Sequence, residues 1–137
     1  MHKAPFQSIF VADDDEDDLY LLRFAFQQNL PQCHLEIASD GEALIKLLKK
    51  ANTRPCLIIL DLNMPVMDGF EVLQWLRANP AYKQTPIVVL TTSQNESDRH
   101  RALTLGANAF ITKPTSLAIL GQTLYQLDKD WQLDQCF

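Results

Sequence analysis

The chain has 137 residues, 47% of them hydrophobic and 21% charged, which is typical of one soluble globular domain with a full core. Residues 13–18 hold six of the 17 acidic side chains, which leaves 11 acidic against 12 basic residues elsewhere and no basic surface for nucleic acid. No apolar run could span a membrane, and residues 1–5 lack the apolar core of a signal peptide. We therefore expect a cytoplasmic protein. Its three cysteines are expected to be reduced, because they show no metal-like spacing and their number is odd.

Apolar runs and helical patterns alternate along the chain. Short apolar runs predict buried parallel strands at 8–12, 33–38, 56–60, 87–90 and 107–111. Helical spacing and chain breakers predict helices at 17–29, at 70–78, at 96–105, at 116–127, and between a cap at Ser39 or Asp40 and the break at Arg54-Pro55. The pattern predicts an α/β fold: a flavodoxin-like, doubly wound, five-stranded parallel sheet in the order 2-1-3-4-5, with five helices on its two faces.

Polar residues stand at or just beyond the ends of four predicted strands. Asp13 and Asp14 follow the first strand, Asp61 follows the third, Thr91 follows the fourth, and Lys113 lies two residues beyond the fifth. In an open parallel sheet, functional groups collect at the carboxyl ends of the strands, and in this strand order the first and third strands are neighbours. The sequence therefore predicts that three carboxylates, a hydroxyl and an ammonium group share one crevice.

Such a crevice suits a divalent cation and a phosphoryl group. Crowded carboxylates repel each other, and a hard cation relieves that repulsion. Mg²⁺ prefers one or two carboxylates together with waters and phosphate oxygens, so a coordination position is expected to stay open. Asp61 can then attack phosphorus and form an acyl phosphate. The cation, Lys113 and the Thr91 hydroxyl with nearby backbone N–H groups can each stabilise a different phosphoryl oxygen.

Each of these signals also has a simpler explanation. The acidic residues 15–18 are typical of a solvated surface patch, and Asp17 and Asp18 suit the positive end of a helix dipole. A lone aspartate such as Asp61 after a strand is often a helix cap or a turn residue. Lys-Pro is a weak signal on its own. Only the order and spacing of the four signals together favour a functional site.

Four segments of the chain resemble response-regulator receiver domains of two-component signalling, in particular stand-alone, chemotaxis-regulator-like receivers. They are residues 9–15, 60–69, 89–92 and 110–114, and the segment after Asp61 is the most specific. The resemblance covers about 7–128, so we expect one receiver domain over 1–137 with a tail at 129–137, too short for a DNA-binding module. Residues 13–22 also resemble receivers that accompany phytochrome-type or hybrid kinases.

The resemblance implies a phosphoryl acceptor and a metal site. It implies that Asp61 accepts phosphate from a sensor histidine kinase or a histidine phosphotransfer protein. It assigns Mg²⁺ to Asp13, Asp14, Asp61 and the backbone carbonyl of Asn63, and it assigns Lys113 to a phosphoryl oxygen. The chain would then be a regulator that catalyses only its own phosphorylation and dephosphorylation.

The resemblance also implies a conformational switch. It assigns the switch to Thr91 and Phe110, with a cis bond between Lys113 and Pro114. Phe110 could equally be an ordinary core or edge aromatic. Three positions are expected to tune the lifetime of the phosphorylated form, namely Asn63, Thr92 and Ser93.

The expected partners are the phosphate donor and a downstream protein target, and a homodimer stays open. No nucleic acid or membrane is implied. Two other classes of protein remain as alternatives. A haloacid-dehalogenase-type phosphohydrolase also phosphorylates an aspartate, but it needs a second aspartate two residues later, where this chain has Asn63. An inert, receiver-like scaffold would usually lack one of the acids or the lysine.

Overall fold

The computed structural model describes residues 7–51 and 54–132. The strands are β1 (Gln7–Ala12), β2 (Cys33–Ala38), β3 (Leu57–Leu60), β4 (Ile87–Thr91) and β5 (Ala109–Thr112). The helices are α1 (Glu16–Asn29), α2 (Gly41–Lys50), α3 (Gly69–Ala78), α4 (Glu96–Thr104) and α5 (Leu117–Trp131), with a 3-10 turn at Pro80–Tyr82. The strands pair in parallel in the order β2-β1-β3-β4-β5, which confirms the predicted fold.

Both faces of the sheet are covered by helices, and this explains why the strands read as nearly continuous apolar runs. Successive strand residues point to opposite faces. Phe10, Ile58 and Val89 pack on one face with apolar side chains of α2, α3 and α4. Ile9, Ile59 and Val88, whose side chains are almost fully buried, pack on the other face with α1 and α5.

Side-chain caps fix where the helices begin, as is common for Asp, Asn and Ser. Asp40, one of the two predicted caps, accepts a hydrogen bond from the N–H of Ala43 at 2.8 Å. Asp68 and Glu71 form a reciprocal capping box at the start of α3. Gly106, predicted to stop α4, has a φ of 112°, a conformation that favours glycine.

Three expectations differ from the structure. Helix α5 extends to Trp131, beyond its predicted end at 127, because Trp131 packs against the core cluster on the α1/α5 face. The described residues contain no cis peptide bond, so the prediction for Lys113–Pro114 is wrong, and this bond has the trans form that X–Pro bonds ordinarily prefer. Cys56 is disulfide-bonded rather than reduced. The spacing of cysteines in the sequence could not show this, because pairing depends on spatial proximity. Most of the predicted tail, residues 133–137, lies outside the described residues.

No helix within 7–51 and 54–132 combines the length and apolarity that crossing a membrane would require.

Candidate functional site

The pairing of β1 with β3 places two aspartates side by side. Ala12 pairs with Leu60, so the next residues, Asp13 and Asp61, leave the sheet at the same edge. The backbone N–H of Asp61 donates to the carbonyl of Ala12 at 3.0 Å, which extends the ladder by one residue. Both side chains are buried, with Asp13 only 5% and Asp61 only 6% exposed, whereas Asp14 is exposed. A buried carboxylate needs a partner, so these positions are costly unless a cation is near.

The chain after Asp61 returns closely against it. The Asp61 carboxylate accepts a hydrogen bond from the N–H of Leu62 at 2.7 Å, which orients the side chain. Gly69 lies so close that an added Cβ would collide with the carbonyl oxygen of Asp61 and lie 2.8 Å from the Cα of Leu62. Glycine at this position therefore allows the loop to bring α3 against the end of β3.

Lys113 supplies the cation of the site. Its backbone N–H donates to the carbonyl of Thr91 at 2.7 Å, which fixes the chain just beyond β5. Its Nζ lies 2.7 Å from Asp13, 2.6 Å from Asp18 and 3.1 Å from Asp61, measured to the Oδ2 atom of each. An ammonium group has three N–H donors, so these three carboxylates use all of them.

The pKa values of the buried groups reflect this geometry. Burial alone would lower the pKa of Lys113, but hydrogen bonds to Asp13 and Asp18 and the nearby charge of Asp61 outweigh burial and raise it. Burial raises the pKa of Asp13, and its hydrogen bonds to Lys113 and to the N–H of Asp15 offset this only in part. The single ammonium group therefore does not fully compensate the carboxylates.

The carboxylates are arranged suitably for a metal ion. Oxygens of Asp13, Asp14 and Asp61 all lie within 4.8 Å of one another. Hard oxygen donors at this separation need only small side-chain adjustments to share one Mg²⁺-sized cation. Asn63, whose carbonyl was expected to complete the set, is exposed in the loop that follows Asp61.

Thr91 ends β4 and is fully buried, and Thr92 beside it is exposed. The N–H of Ser93 donates to the Thr91 hydroxyl at 3.4 Å, a long and weak hydrogen bond. The Ser93 hydroxyl donates to Asp98 in α4 at 2.8 Å, and the Thr112 hydroxyl donates to the Ser93 carbonyl at 3.1 Å. The segment that follows Thr91 is thus hydrogen-bonded to both α4 and β5.

Phe110 lies on β5 opposite Val89 and is only partly buried. It packs against the core cluster on the α2/α3/α4 face, at the rim of that cluster. Its carbonyl accepts a hydrogen bond from Arg99 of α4 at 3.4 Å. An aromatic ring in this position has solvent on one side and core on the other.

Sequence reasoning missed Asp18, which it assigned to the surface or to the helix dipole. Asp18 lies in the first turn of α1 and precedes Leu22 and Phe26 at four-residue spacing. Leu22 and Phe26 are buried, so Asp18 continues the inward-facing stripe of the helix. This spacing was the available signal. The structure leaves Asp17 exposed, as predicted.

Comparison with known proteins identifies the class to which this five-stranded α/β fold, with its acidic edge and lysine, belongs. Residues 9–125 match the response regulator receiver domain family, and the chain belongs to that family. It is 34% identical over 132 residues to response regulator Rcp1 of Synechocystis sp., covering 93% of this chain and 90% of that protein.

Solved structures agree with this assignment. The phosphorylated cyanobacterial phytochrome response regulator RcpA superposes with a TM-score of 0.84 at 32% identity, over 93% of this chain and 94% of the other. The Mn²⁺-bound form of Rcp1 superposes with a TM-score of 0.81 at 33% identity, over 96% and 97% of the two chains. Both relatives are response regulators that the chain matches over nearly its whole length.

Proposed function

We propose that this receiver domain is a phosphoryl-accepting signalling switch in which Asp61 is the acceptor. One observation carries the proposal: the buried Asp61 carboxylate lies 3.1 Å from the Lys113 ammonium group and within 4.8 Å of the oxygens of Asp13 and Asp14. A carboxylate so placed has a cation on one side and a cluster suited to a metal ion on the other. Both neighbours favour a nucleophile that gains negative charge as it accepts a phosphoryl group.

The proposed step is a transfer from phosphohistidine. One oxygen of Asp61 attacks phosphorus, a new O–P bond forms, and the P–N bond to the donor imidazole breaks with its electron pair returning to the imidazole. Lys113 neutralises one phosphoryl oxygen, and Thr91 can donate its hydroxyl hydrogen to another. Hydrolysis of the acyl phosphate by water returns Asp61 to its starting state.

Mg²⁺ is the proposed cofactor, held by Asp13, Asp14, Asp61 and the carbonyl of Asn63. When bound, it would neutralise charge on a phosphoryl oxygen. The oxygen-only donor set supports a hard cation. The Mn²⁺-bound form of the relative Rcp1 supports a divalent cation as the cofactor.

Signal output is proposed to pass through Thr91 and Phe110. Thr91 moves toward the phosphoryl group and vacates volume beneath it, and Phe110 turns inward to fill that volume. The face formed by α4, β5 and α5 is thereby reshaped. This is a population shift between two packings, limited by the difference in phosphoryl binding between them. The partly buried position of Phe110 supports this role.

The proposed donors are a sensor histidine kinase or a histidine phosphotransfer protein, and the proposed target is a protein that reads the reshaped face. A second copy of the chain is one form that such a partner could take. The exchange is proposed to occur in the cytoplasm. The similarity to RcpA, a phytochrome response regulator, supports a phytochrome-type kinase as the phosphate donor.

Labelling with a small phosphodonor tests the proposal. With acetyl phosphate and Mg²⁺, the wild-type protein is expected to gain one phosphoryl group on Asp61. Chelation of the metal removes the gain, and Asp61→Asn abolishes it. Asp17→Asn, which removes one charge from the same edge at an exposed position, should label like the wild type.

The same experiment separates the alternatives. Many turnovers of phosphate esters with release of free phosphate would indicate the phosphohydrolase, and the Asn at position 63 argues against this result. A wild-type protein that never labels would indicate an inert scaffold and would overturn the proposal.

A further inference from the structure

Asp18 is the third carboxylate on the Lys113 ammonium group, and neither the site predicted from the sequence nor the metal cluster includes it. Its Oδ2 atom lies 2.6 Å from Nζ, the shortest of the three contacts. Its side chain is 33% exposed, compared with 7% for Asp13 and Asp61. Solvent screening weakens its charge at longer range, but at 2.6 Å it still accepts a charge-assisted hydrogen bond, which fixes the direction of one N–H bond.

The position of Asp18 is set by the helix that carries it. Asp15 caps α1, and its Oδ1 atom accepts hydrogen bonds from the N–H groups of Asp17 at 2.9 Å and Asp18 at 3.1 Å. The Asp13 carboxylate in turn accepts from the N–H of Asp15 at 2.9 Å. The start of α1 is therefore bound to the same edge of the sheet as the acceptor. A carboxylate on this turn is positioned before any ligand arrives.

Among the described residues, the side chains that line this side of Lys113 offer no acceptor besides Asp18 and Asp13. Asp18 and Lys113 border a narrow cavity of ≈ 30 Å³. Apart from Asp13, the rest of its lining is apolar: Leu21, Leu22, Leu90, Pro114 and Leu120. Without Asp18, the N–H bond that now points to it would face hydrocarbon or a poorly held water.

The three carboxylates differ in what else they can bind. Asp13 and Asp61 belong to the cluster suited to a metal ion, and Asp18 does not. A cation in that cluster, and a phosphoryl group on Asp61, would draw both of these carboxylates away from Lys113. Asp18 would then be the partner that remains for the ammonium group.

We propose that Asp18 is a positioning residue for Lys113: it holds one N–H of the ammonium group so that the others face Asp61 and its phosphoryl group. This inference rests on the proposed phosphoryl chemistry. It requires Asp18 to act through Lys113 alone, with no contact to the cation or to the phosphorus. Its loss should therefore slow both formation and hydrolysis of the acyl phosphate, since Lys113 stabilises the charge that develops in both directions.

Labelling kinetics of the full chain test this role. Asp18→Asn keeps the volume and removes the charge, Asp18→Glu keeps the charge on a longer arm, and Asp17→Asn removes a charge from the same turn of α1. For each protein we would measure the labelling rate at saturating acetyl phosphate, the half-saturating donor concentration, and the decay of label after donor removal. The dissociation constant for Mg²⁺ is measured separately by calorimetry.

Asp18→Asn is expected to lower the saturating labelling rate and the decay rate by similar factors of about tenfold, because a misplaced group loses transition-state stabilisation. The Mg²⁺ dissociation constant and the half-saturating donor concentration should stay within about twofold of wild type. Asp18→Glu should recover most of the rate, and Asp17→Asn should retain all of it. A purely structural role would lower the unfolding temperature and leave the rates unchanged.

Three results would overturn the inference. Asp18→Asn could label and decay like Asp17→Asn, its Mg²⁺ affinity could fall in step with the rate, or Asp18→Glu could be as slow as Asp18→Asn. In each case normal labelling of the wild type leaves the proposed function standing. If the wild type fails to label, the proposed function fails first, and this inference fails with it.

Discussion

The Lys113 ammonium group is surrounded by more negative charge than it can neutralise. It meets Asp13, Asp18 and Asp61, and the exposed Asp14 adds a fourth carboxylate nearby. Buried ion pairs contribute little net stability when complete, but removing one partner leaves uncompensated charge and is strongly destabilising. The site therefore makes the free protein depend on Lys113, and it leaves a net negative charge that favours a cation.

The pKa shift of Lys113 predicts a dependence of stability on alkaline pH. The folded-state pKa is raised above the ordinary value of 10.5, so the folded protein holds this proton more tightly than the unfolded chain. The resulting stabilisation is fully present below pH 10.5 and is lost as the pH rises through the folded-state value. Without metal at pH 7, Lys113→Met is expected to lower the free energy of unfolding by about 3 kcal/mol.

Urea unfolding at a series of pH values measures this effect. The difference between wild type and Lys113→Met should be constant from neutral pH to about 10, and should then shrink by up to about 1.4 kcal/mol for each pH unit. Lys46→Met replaces an exposed lysine of α2 and should show no such change. A difference between wild type and Lys113→Met that grows above pH 10.5 would contradict the raised pKa.

Thr92 is expected to control access of water to the acceptor. It is exposed and directly follows the buried Thr91. In Thr92→Ala the shorter side chain gives water easier access to the phosphoryl group. The label should therefore decay about 3- to 10-fold faster after donor removal, which corresponds to a small change in the activation barrier. Thr104→Ala, at an exposed position in α4, is the control. Unchanged decay in Thr92→Ala, and in variants of Asn63 and Ser93, would show that these positions do not set the lifetime.

Among the secondary-structure elements, Arg77 joins α3 to the far end of the sheet. Its guanidinium donates to the carbonyls of Gly106 at 3.0 Å, Tyr82 at 2.7 Å and Lys83 at 3.2 Å, and to the Asn108 side chain at 2.9 Å. The same Asn108 oxygen accepts from the N–H at the start of β4 at 2.8 Å. One planar side chain thus connects α3, the chain before β4 and the connection from α4 to β5.

Arg77→Lys keeps the charge but cannot reproduce these directed hydrogen bonds. We expect it to lower the free energy of unfolding by about 2 kcal/mol, since at least two charged hydrogen bonds to carbonyls are lost. Urea unfolding measures this loss, with Arg23→Lys at an exposed position of α1 as the control. A change below about 0.5 kcal/mol, the range of ordinary surface substitutions, would show that water replaces the guanidinium without cost.

At the scale of elements, hydrophobic periodicity in the sequence predicted most of the strands and helices. The contacts that long or charged side chains make were harder to predict. Strand ends at Asp13, Asp61 and Thr91 follow from apolar runs that stop at a polar residue, so the shared edge was predictable. Asp18 was missed because an acidic run at a helix start has an adequate explanation in the dipole. The network around Arg77 could not be inferred, because its acceptors are backbone carbonyls, which carry no sequence signal.

At the scale of the whole molecule, the acceptor and the expected output surface lie on different elements joined by short links. Thr91 ends β4, and the N–H of Lys113, just beyond β5, donates to its carbonyl. Ser93 contacts both Asp98 of α4 and Thr112 of β5. A change at Thr91 therefore reaches α4 and β5 within one or two contacts. Such coupling would require two discrete packings, and the partly buried Phe110 is the side chain proposed to exchange between them.

Phe110→Ala is expected to separate phosphorylation from output. Asp61 and Lys113 are untouched, so acetyl phosphate should label the variant within about twofold of the wild-type rate, because no group that stabilises the phosphoryl is removed. Hydrogen exchange of Glu96–Thr104 and Ala109–Thr112 should change on phosphorylation in the wild type and stay unchanged in the variant. Phe24→Ala, an exposed phenylalanine of α1, should behave like the wild type. If Phe110→Ala keeps the full exchange response, Phe110 is an ordinary edge aromatic and the signal must leave through Ser93 and α4 alone.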